Sequence, residues 1–287
     1  MFKILQKALS FLPFERFRNP FPVIGVIKLT GVIGGTSLAR RGFSFADLSP
    51  LLEKVFSLHN LKVAVFIINS PGGSPVQSAL IAKRIRSLAE EKNVEVWAFC
   101  EDVAASGGYW LALAADKIFA LETSIVGSIG VVSGGFGFND AIKKLGIERR
   151  LYTSGNKKAI LDPFKPEKET DVKHLKSIQA EIHKTFKDHV KSRRGGRLMA
   201  KEAELFSGAF WSGCYALELG LIDGIGDMHS EIEKQFGKKY KLKEIGPKKS
   251  IFRERLGFTD LDHKIFLGIN TAFSVCEERM MWNRFGL

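Results

Sequence analysis

The apolar run at 63–68 breaks into Asn69-Ser70-Pro71-Gly72-Gly73, and Ser74-Pro75 then opens a helical pattern. A short continuous apolar run closed by proline and glycine reads as a strand buried on both faces. Ser74 is a suitable helix N-cap and Pro75 suits the first helical position. The following helix is expected to turn Val76, Leu80, Ile81, Ile85 and Leu88 toward a core, with Lys83, Arg84 and Arg86 on other faces. Further apolar runs at 23–29, 94–99 and 117–120 alternate with helical patterns, which implies α/β layers. With 287 residues, 45% hydrophobic composition and 23 phenylalanines, the chain can bury a large core, and disorder is excluded for most of it. There is no internal repeat.

Ser106 sits in Asp102-Val103-Ala104-Ala105-Ser106-Gly107-Gly108-Tyr109, between small residues and a glycine pair at the expected mouth of a helix. That placement suits a nucleophile; a serine that merely caps the helix is the competing reading. A helix beginning here favours negative charge developing near Gly107. The Gly72-Gly73 turn offers backbone N–H groups that can face an oxyanion, and the same residues also serve as a tight strand-to-helix connection. No histidine occurs between Asn60 and Lys173, so the best candidate base is Lys158, in Ser154-Gly155-Asn156-Lys157-Lys158-Ala159. A lysine removes a serine proton only when neutral, which requires its pKa to fall from about 10.4 to roughly 7–8. Ala159, Ile160 and Leu161 suit a desolvated amine. An ordinary surface lysine in a turn is the alternative, and Lys157 stays open as a second candidate.

These segments resemble the signal peptide peptidase A family of serine peptidases, peptidase family S49, with a nucleophile in Ala-Ser-Gly-Gly and a base in Ser-Gly-x-x-Lys. Gly127-Ser128-Ile129-Gly130-Val131, Phe210-Trp211-Ser212-Gly213 and residues 216–223 resemble further blocks of that family in the same order, so the resemblance covers 21–236. It implies Ser106 as nucleophile, Lys158 as general base, Ser128 as the hydroxyl that positions the lysine, and Gly73 and Gly107 as the oxyanion hole. It also implies a single α/β domain of the caseinolytic protease/crotonase-like spiral of β-β-α units, and no cofactor or metal. The expected reaction is hydrolysis of unfolded or membrane-derived peptides, such as cleaved signal peptides, through an acyl-enzyme. A ring-shaped homo-oligomer is expected, in which the serine and lysine of one site come from adjacent subunits.

Other classes fare worse. Ala104 stands where the Gly-x-Ser-x-Gly elbow needs glycine, and neither a phosphate loop nor a His-Glu-x-x-His helix is present. Cys100, Cys214 and Cys276 are too far apart for a zinc cluster and give no disulfide framework. On a long helix striped by Val172, Leu175, Ile178, Ile182, Phe186 and Val190, the histidines 174, 183 and 189 read as surface residues. Tyr109 and Trp110 read as core ahead of cleft lining. A crotonase-like acyl-CoA enzyme lacks paired glutamates near the glycine turn. A non-catalytic peptide-binding or membrane scaffold of the same fold is the main alternative.

The net charge of +12 is spread over clusters at 193–197, 238–243 and 248–255. No binding module accompanies them, so nucleic acid is not expected, and solvation or peripheral contact with an anionic membrane is. Residues 1–20 form an amphipathic N-terminal segment with Phe2, Leu5, Leu9 and Leu12 on one face, 21–236 the peptidase-like domain, and 237–287 a basic C-terminal extension. Neither the N-terminal segment nor the apolar stretch 265–276 is long enough to span a bilayer. The expected location is membrane-associated without a clear transmembrane helix, on an unassigned side, with the cytoplasm as the alternative.

Overall fold

The computed structural model describes residues 21–34, 42–246 and 279–286. The amphipathic reading of 1–20, the apolar stretch 265–276, the basic cluster 248–255 and Cys276 lie outside the described residues. Three long parallel strands carry the sheet: β1 (Val23–Thr30), β4 (Leu61–Ser70) and β5 (Glu95–Ala105). With β6 (Lys117–Ala120), β9 (Gly224–Ile225) and β10 (Lys241–Glu244), the order is β10-β1-β4-β5-β6-β9. A small pair, β2 (Val32–Ile33) with β3 (Gly42–Phe43), stands apart.

Parallel neighbours need crossovers. The chain supplies α1 (Phe45–Phe56) before β4, α2 (Pro75–Lys92) between β4 and β5, and α3 (Gly107–Ala112) between β5 and β6. Ser44 caps α1 with a reciprocal Ser44/Asp47 capping box, and Ser74 caps α2 with Pro75 in its first turn, as the sequence implies.

The strand expected at 94–99 runs on to Ala105. Its continuation begins with exposed Glu101 and Asp102, which conceals it from a reading based on apolar runs. Asn69 holds the extension beside β4: its Nδ2 donates to Asp102 Oδ2 at 2.7 Å, and its Oδ1 accepts from Val103 N at 3.3 Å. β5 then changes neighbour. Residues 97–100 pair with β6, whereas 103–105 pair with β7 (Ile125–Gly127), which in turn runs antiparallel to β8 (Phe210–Ser212).

Both sheet faces are covered. One meets Leu52, Val55, Ile81, Ile85, Leu88 and Leu111 from the three helices, with Phe186 and Val190 of the long α5 (Glu169–Arg194). The other packs Trp97, Phe99 and Phe119 against Ile232, Met228 and Phe236 of α8 (Met228–Phe236). The buried strip of α2 is Ser78, Ile81, Ala82, Ile85, Leu88 and Ala89. Val76 and Leu80 fall off that strip and are exposed, at 65% and 42%. The segment 145–168 that joins α4 (Asn139–Lys144) to α5 is largely exposed, and α6 (Glu202–Leu205) and α7 (Gly213–Glu218) follow α5. Among the described residues no helix is long and apolar enough to cross a membrane.

The basic cluster at 193–197 is structural, contrary to the solvated or membrane-facing expectation. Arg194 is buried; its Nη1 meets Asp223 Oδ2 at 2.8 Å and its Nε donates to Gly220 O at 2.8 Å. Asp223 also accepts from Ile118 N at 2.8 Å and from Arg197 Nη1 at 3.0 Å. Arg193 donates to the Leu113 and Ala115 carbonyls, stitching α5 to the end of α3. Burial opposes ionisation of Asp223, but the Arg194 hydrogen bond and charge outweigh it and hold the carboxyl below the usual carboxylate range. A carboxyl whose pKa is lower folded than unfolded stabilises the fold above its unfolded pKa, and that stabilisation is lost as pH falls through the folded value. Asp223→Ala is therefore expected to cost about 3–5 kcal/mol at neutral pH, because it strands a buried guanidinium. Urea unfolding should give that gap, and the gap should shrink as the pH is lowered through the acid range.

Candidate active site

The register between β5 and β7 decides what meets at the sheet's end. Ala105 pairs with Gly127, so the next residues, Ser106 and Ser128, leave the sheet side by side. Ser106 N donates to Gly127 O at 2.8 Å, and Ser128 N donates to Ala209 O at 2.7 Å. Both serines have positive φ, 52° and 53°. Ser106 combines this with ψ of −117°, a region that costs a non-glycine residue about 1–3 kcal/mol. It occupies the N-cap position of α3, yet its side chain makes no capping hydrogen bond. The competing reading of Ser106 as a simple helix cap is thereby set aside, and a half-buried hydroxyl stands on a strained strand-to-helix turn.

The glycine turn after β4 closes against this serine. Gly72 and Gly73 have φ of 109° and 146°. A Cβ on Gly72 would lie 2.9 Å from both Gly107 N and Ser106 Cβ, and one on Gly107 would lie 2.6 Å from Ser78 Oγ and 3.3 Å from Gly73 N. Only bare backbone fits in this contact. Ile33 N donates to Gly72 O and Ser74 N donates to Ile33 O, so these bonds bracket Gly73 and leave its own N–H unused. Gly107 is the first residue of α3, where an N–H has no intrahelical acceptor. Two neighbouring N–H donors thus stand beside Ser106 with no acceptor among the described residues.

A cleft of about 320 Å³ opens at this point, lined by Ser106, Ser128, Gly130, His183, Gly208 and Arg284 among others. His183 and Arg284 were not anticipated as site residues. His183 Nε2 lies 3.1 Å from Ile129 O, next to Ser128. His183 and His189 are half-buried, not surface residues as expected. The spacing 183, 186, 190 puts His183 on the face that carries Phe186 and Val190, a signal the six-residue apolar stripe masked. His189 stacks on Trp110 with centroids 5.0 Å apart; burial lowers its pKa against the opposing hydrogen bond with the Trp110 backbone. Tyr109 and Trp110 are core, as expected, with Tyr109 Oη donating to Leu221 O at 2.7 Å. Cys100 is buried within β5, and burial pushes its thiol up to about 12, so it offers no rival nucleophile.

Lys158 lies elsewhere. It is exposed in a turn where its N–H donates to Gly155 O at 3.1 Å, and with Ser154–Lys157 neighbours it lines a separate open concavity. Ala159 and Ile160 are half-buried but do not enclose the amine within one chain. The excursion that carries Lys158 is held by its own contacts, including Phe138 N donating to Pro163 O at 2.6 Å and Phe138 against Phe164 at 5.6 Å. It exposes Phe136, Leu145, Ile147 and Tyr152, the last at 90%.

A family model described as Peptidase family S49 matches residues 88–240, more than half of the chain and including Ser106, Ser128 and Lys158. The chain belongs to peptidase family S49. A putative signal peptide peptidase SppA of Enterococcus faecium is 32% identical over 209 residues, 70% of this chain and 60% of that protein. A protein named Na(+)/H(+) antiporter NhaA from Brucella abortus is 49% identical over 282 residues, 95% of this chain but 38% of that protein. The chain thus spans less than two thirds of these relatives' length. Among solved structures, a mutant of a membrane-bound stomatin-specific protease in complex with a substrate peptide aligns with a TM-score of 0.52 and 14% identity, over 82% of this chain and 96% of that one. S49 membership and that likeness establish the α/β caseinolytic protease/crotonase-like fold.

The strain at Ser106 is testable without any substrate. Glycine relieves the positive-φ penalty that alanine retains, at an entropic cost of about 0.5–1 kcal/mol. Ser106→Gly should therefore be more stable than Ser106→Ala by on the order of 1 kcal/mol in chemical denaturation; equal stabilities would show an unstrained turn.

Proposed function

We propose that this S49 domain is a serine peptidase that cleaves unfolded or membrane-derived peptides, cleaved signal peptides among them, through an acyl-enzyme on Ser106. The observation that carries the reading is the uncapped Ser106 hydroxyl on its strained turn beside the unused N–H groups of Gly73 and Gly107. Ser106 Oγ attacks the scissile carbonyl carbon while Lys158 Nζ takes its proton. The Gly73 and Gly107 N–H groups stabilise the resulting oxyanion. Collapse breaks the C–N bond and the lysine returns the proton to the leaving amine; water then attacks the ester with the same lysine as base, and the C–Oγ bond breaks as that proton passes to Ser106 Oγ. Ser128, adjacent to Ser106 in the sheet register, orients the lysine amine.

The lysine comes from a neighbouring copy of the chain. Two features support this: Lys158 is outside the Ser106 cleft of its own chain, and the excursion bearing it exposes Phe136, Leu145, Ile147 and Tyr152, a surface suited to burial against another subunit. Docking there also supplies the desolvation that a neutral lysine needs.

A serine-directed fluorophosphonate tests the reading by intact mass. One adduct per chain is expected on the assembled wild type, none on Ser106→Ala, and a loss of at least about a hundredfold in labelling rate on Lys158→Ala with assembly retained. No adduct on an assembled wild type would favour the peptide-binding scaffold.

Sharing of sites has its own test. Ser106→Ala and Lys158→Ala chains, each inactive alone, are expected to regain partial peptidase activity when co-assembled, since some sites then combine an intact serine with an intact lysine. Absence of complementation in mixed oligomers, verified by mass, would place both residues in one chain.

A further inference from the structure

Arg284 lies outside the blocks that carry the family resemblance, yet it reaches the Ser106 cleft. Residues 279–283 are helical, and the turn after them is anchored on both sides of Arg284. Phe285 is buried with Val103 and Ala105 at the end of β5, Trp282 packs on the same cluster, and Phe285 meets Phe210 of β8 edge-on at 5.0 Å. Arg284 itself is exposed and lines the cleft with Ser106, Ser128 and His183. Its guanidinium carbon is 5.8 Å from the Phe285 ring centre, which adds a weak cation–π contact.

The charge balance here is unusual for this molecule. Arg86, Arg149, Arg193, Arg194 and Arg197 each have a carboxylate within 4 Å. Among the described residues Arg284 forms no ion pair, and none of those that line the cleft is Asp or Glu. A guanidinium fixed by an aromatic anchor at the mouth of a site, with no ion-pair partner among the described residues, presents a planar two-donor fork for a carboxylate.

We propose that Arg284 forms a carboxylate-binding subsite, so that the enzyme prefers peptides presenting a carboxylate beside the scissile bond. The carboxylate is that of an acidic side chain or of the peptide's own C-terminus. Arg284 acts on substrate choice and not on the chemical step. This rests on the peptidase reading above.

The test uses the assembled full chain and one unstructured apolar peptide in four forms: Glu or Gln at a fixed position near the cleaved bond, each with a free or an amidated C-terminus. Wild type is expected to favour a carboxylate-bearing form by about tenfold in kcat/KM, as one charge-assisted pair gives. The Glu/Gln comparison in amidated peptides isolates the side chain, and the free/amidated comparison in Gln peptides isolates the terminus. Arg284→Gln should bring the preferred ratio close to one, Arg284→Lys should restore part of it, and Arg284→Glu should reverse it. Equal rates on all four peptides in wild type, or a preference that survives in Arg284→Gln, overturns the subsite while leaving the peptidase intact. Failure of the peptidase reading would look different, as neither turnover nor a fluorophosphonate adduct would appear. Fluorescence-anisotropy binding of the same peptides to Ser106→Ala reads the subsite in that case too; equal affinities for the four forms overturn it.

Discussion

The pairing of Ala105 with Gly127 is the constraint from which the site follows. Once β5 exchanges β6 for β7 along its length, the residue after each paired end is forced out of the sheet at the same level. Both are serines, and both leave with positive φ. The Gly72-Gly73 turn at the end of β4 then closes on Ser106 and Gly107 with backbone contacts that leave no space for a side chain. Hydroxyl, second hydroxyl and N–H donors are thus placed by hydrogen-bonded backbone instead of by mobile side chains, which is the preorganisation that charge stabilisation at a reacting carbonyl requires.

The support beneath that arrangement is polar as well as apolar. α3, which begins at Gly107, is tied at its far end by Arg193 to the carbonyls of Leu113 and Ala115, and through Tyr109 Oη to Leu221 O. Arg194 and Asp223 join α5 to the Gly220 carbonyl and to the start of β6. The bonds made by Arg193, Tyr109 and Ile118 span 78 to 112 positions and those of Arg194 to Gly220 and Asp223 only 26 and 29, so the block at 216–223 acts from a distance on the helix behind Ser106. Trp110, tilted against Phe186 and stacked on His189, completes the same wall.

The remaining component, Lys158, is distributed differently. The excursion that carries it is built from local contacts and exposes large apolar side chains, whereas the serine side is embedded in the core. Under the proposed function, an active centre divided in this way would couple chemistry to assembly, with the base meeting the serine only where two copies meet. Arg284 has a comparable logic on a smaller scale: the buried Phe285 and the half-buried Trp282 commit a surface cation to the cleft.

Much of this was legible in the sequence because it is local. The apolar runs gave the main strands, Ser74-Pro75 gave the start of α2, and the Ala-Ser-Gly-Gly and Gly-Gly segments pointed to the serine and its glycines, since turns and caps depend on neighbouring residues. The extension of β5 past Glu101 and Asp102 was not legible, because its support comes from Asn69 on another strand. Nor was the fate of Arg193, Arg194 and Arg197: a run of cations looks solvated until Asp223 is brought to it. His183 and Arg284 entered the cleft for the same reason, by helix phase and by the anchoring of Phe285. The sequence by itself determined the α/β class, the S49 motifs and the candidate serine. Only the tertiary structure decided that Ser106 is uncapped and strained, that it stands beside Ser128, and that Lys158 is apart from it, because register, close backbone approach and burial are properties of segments distant in the chain.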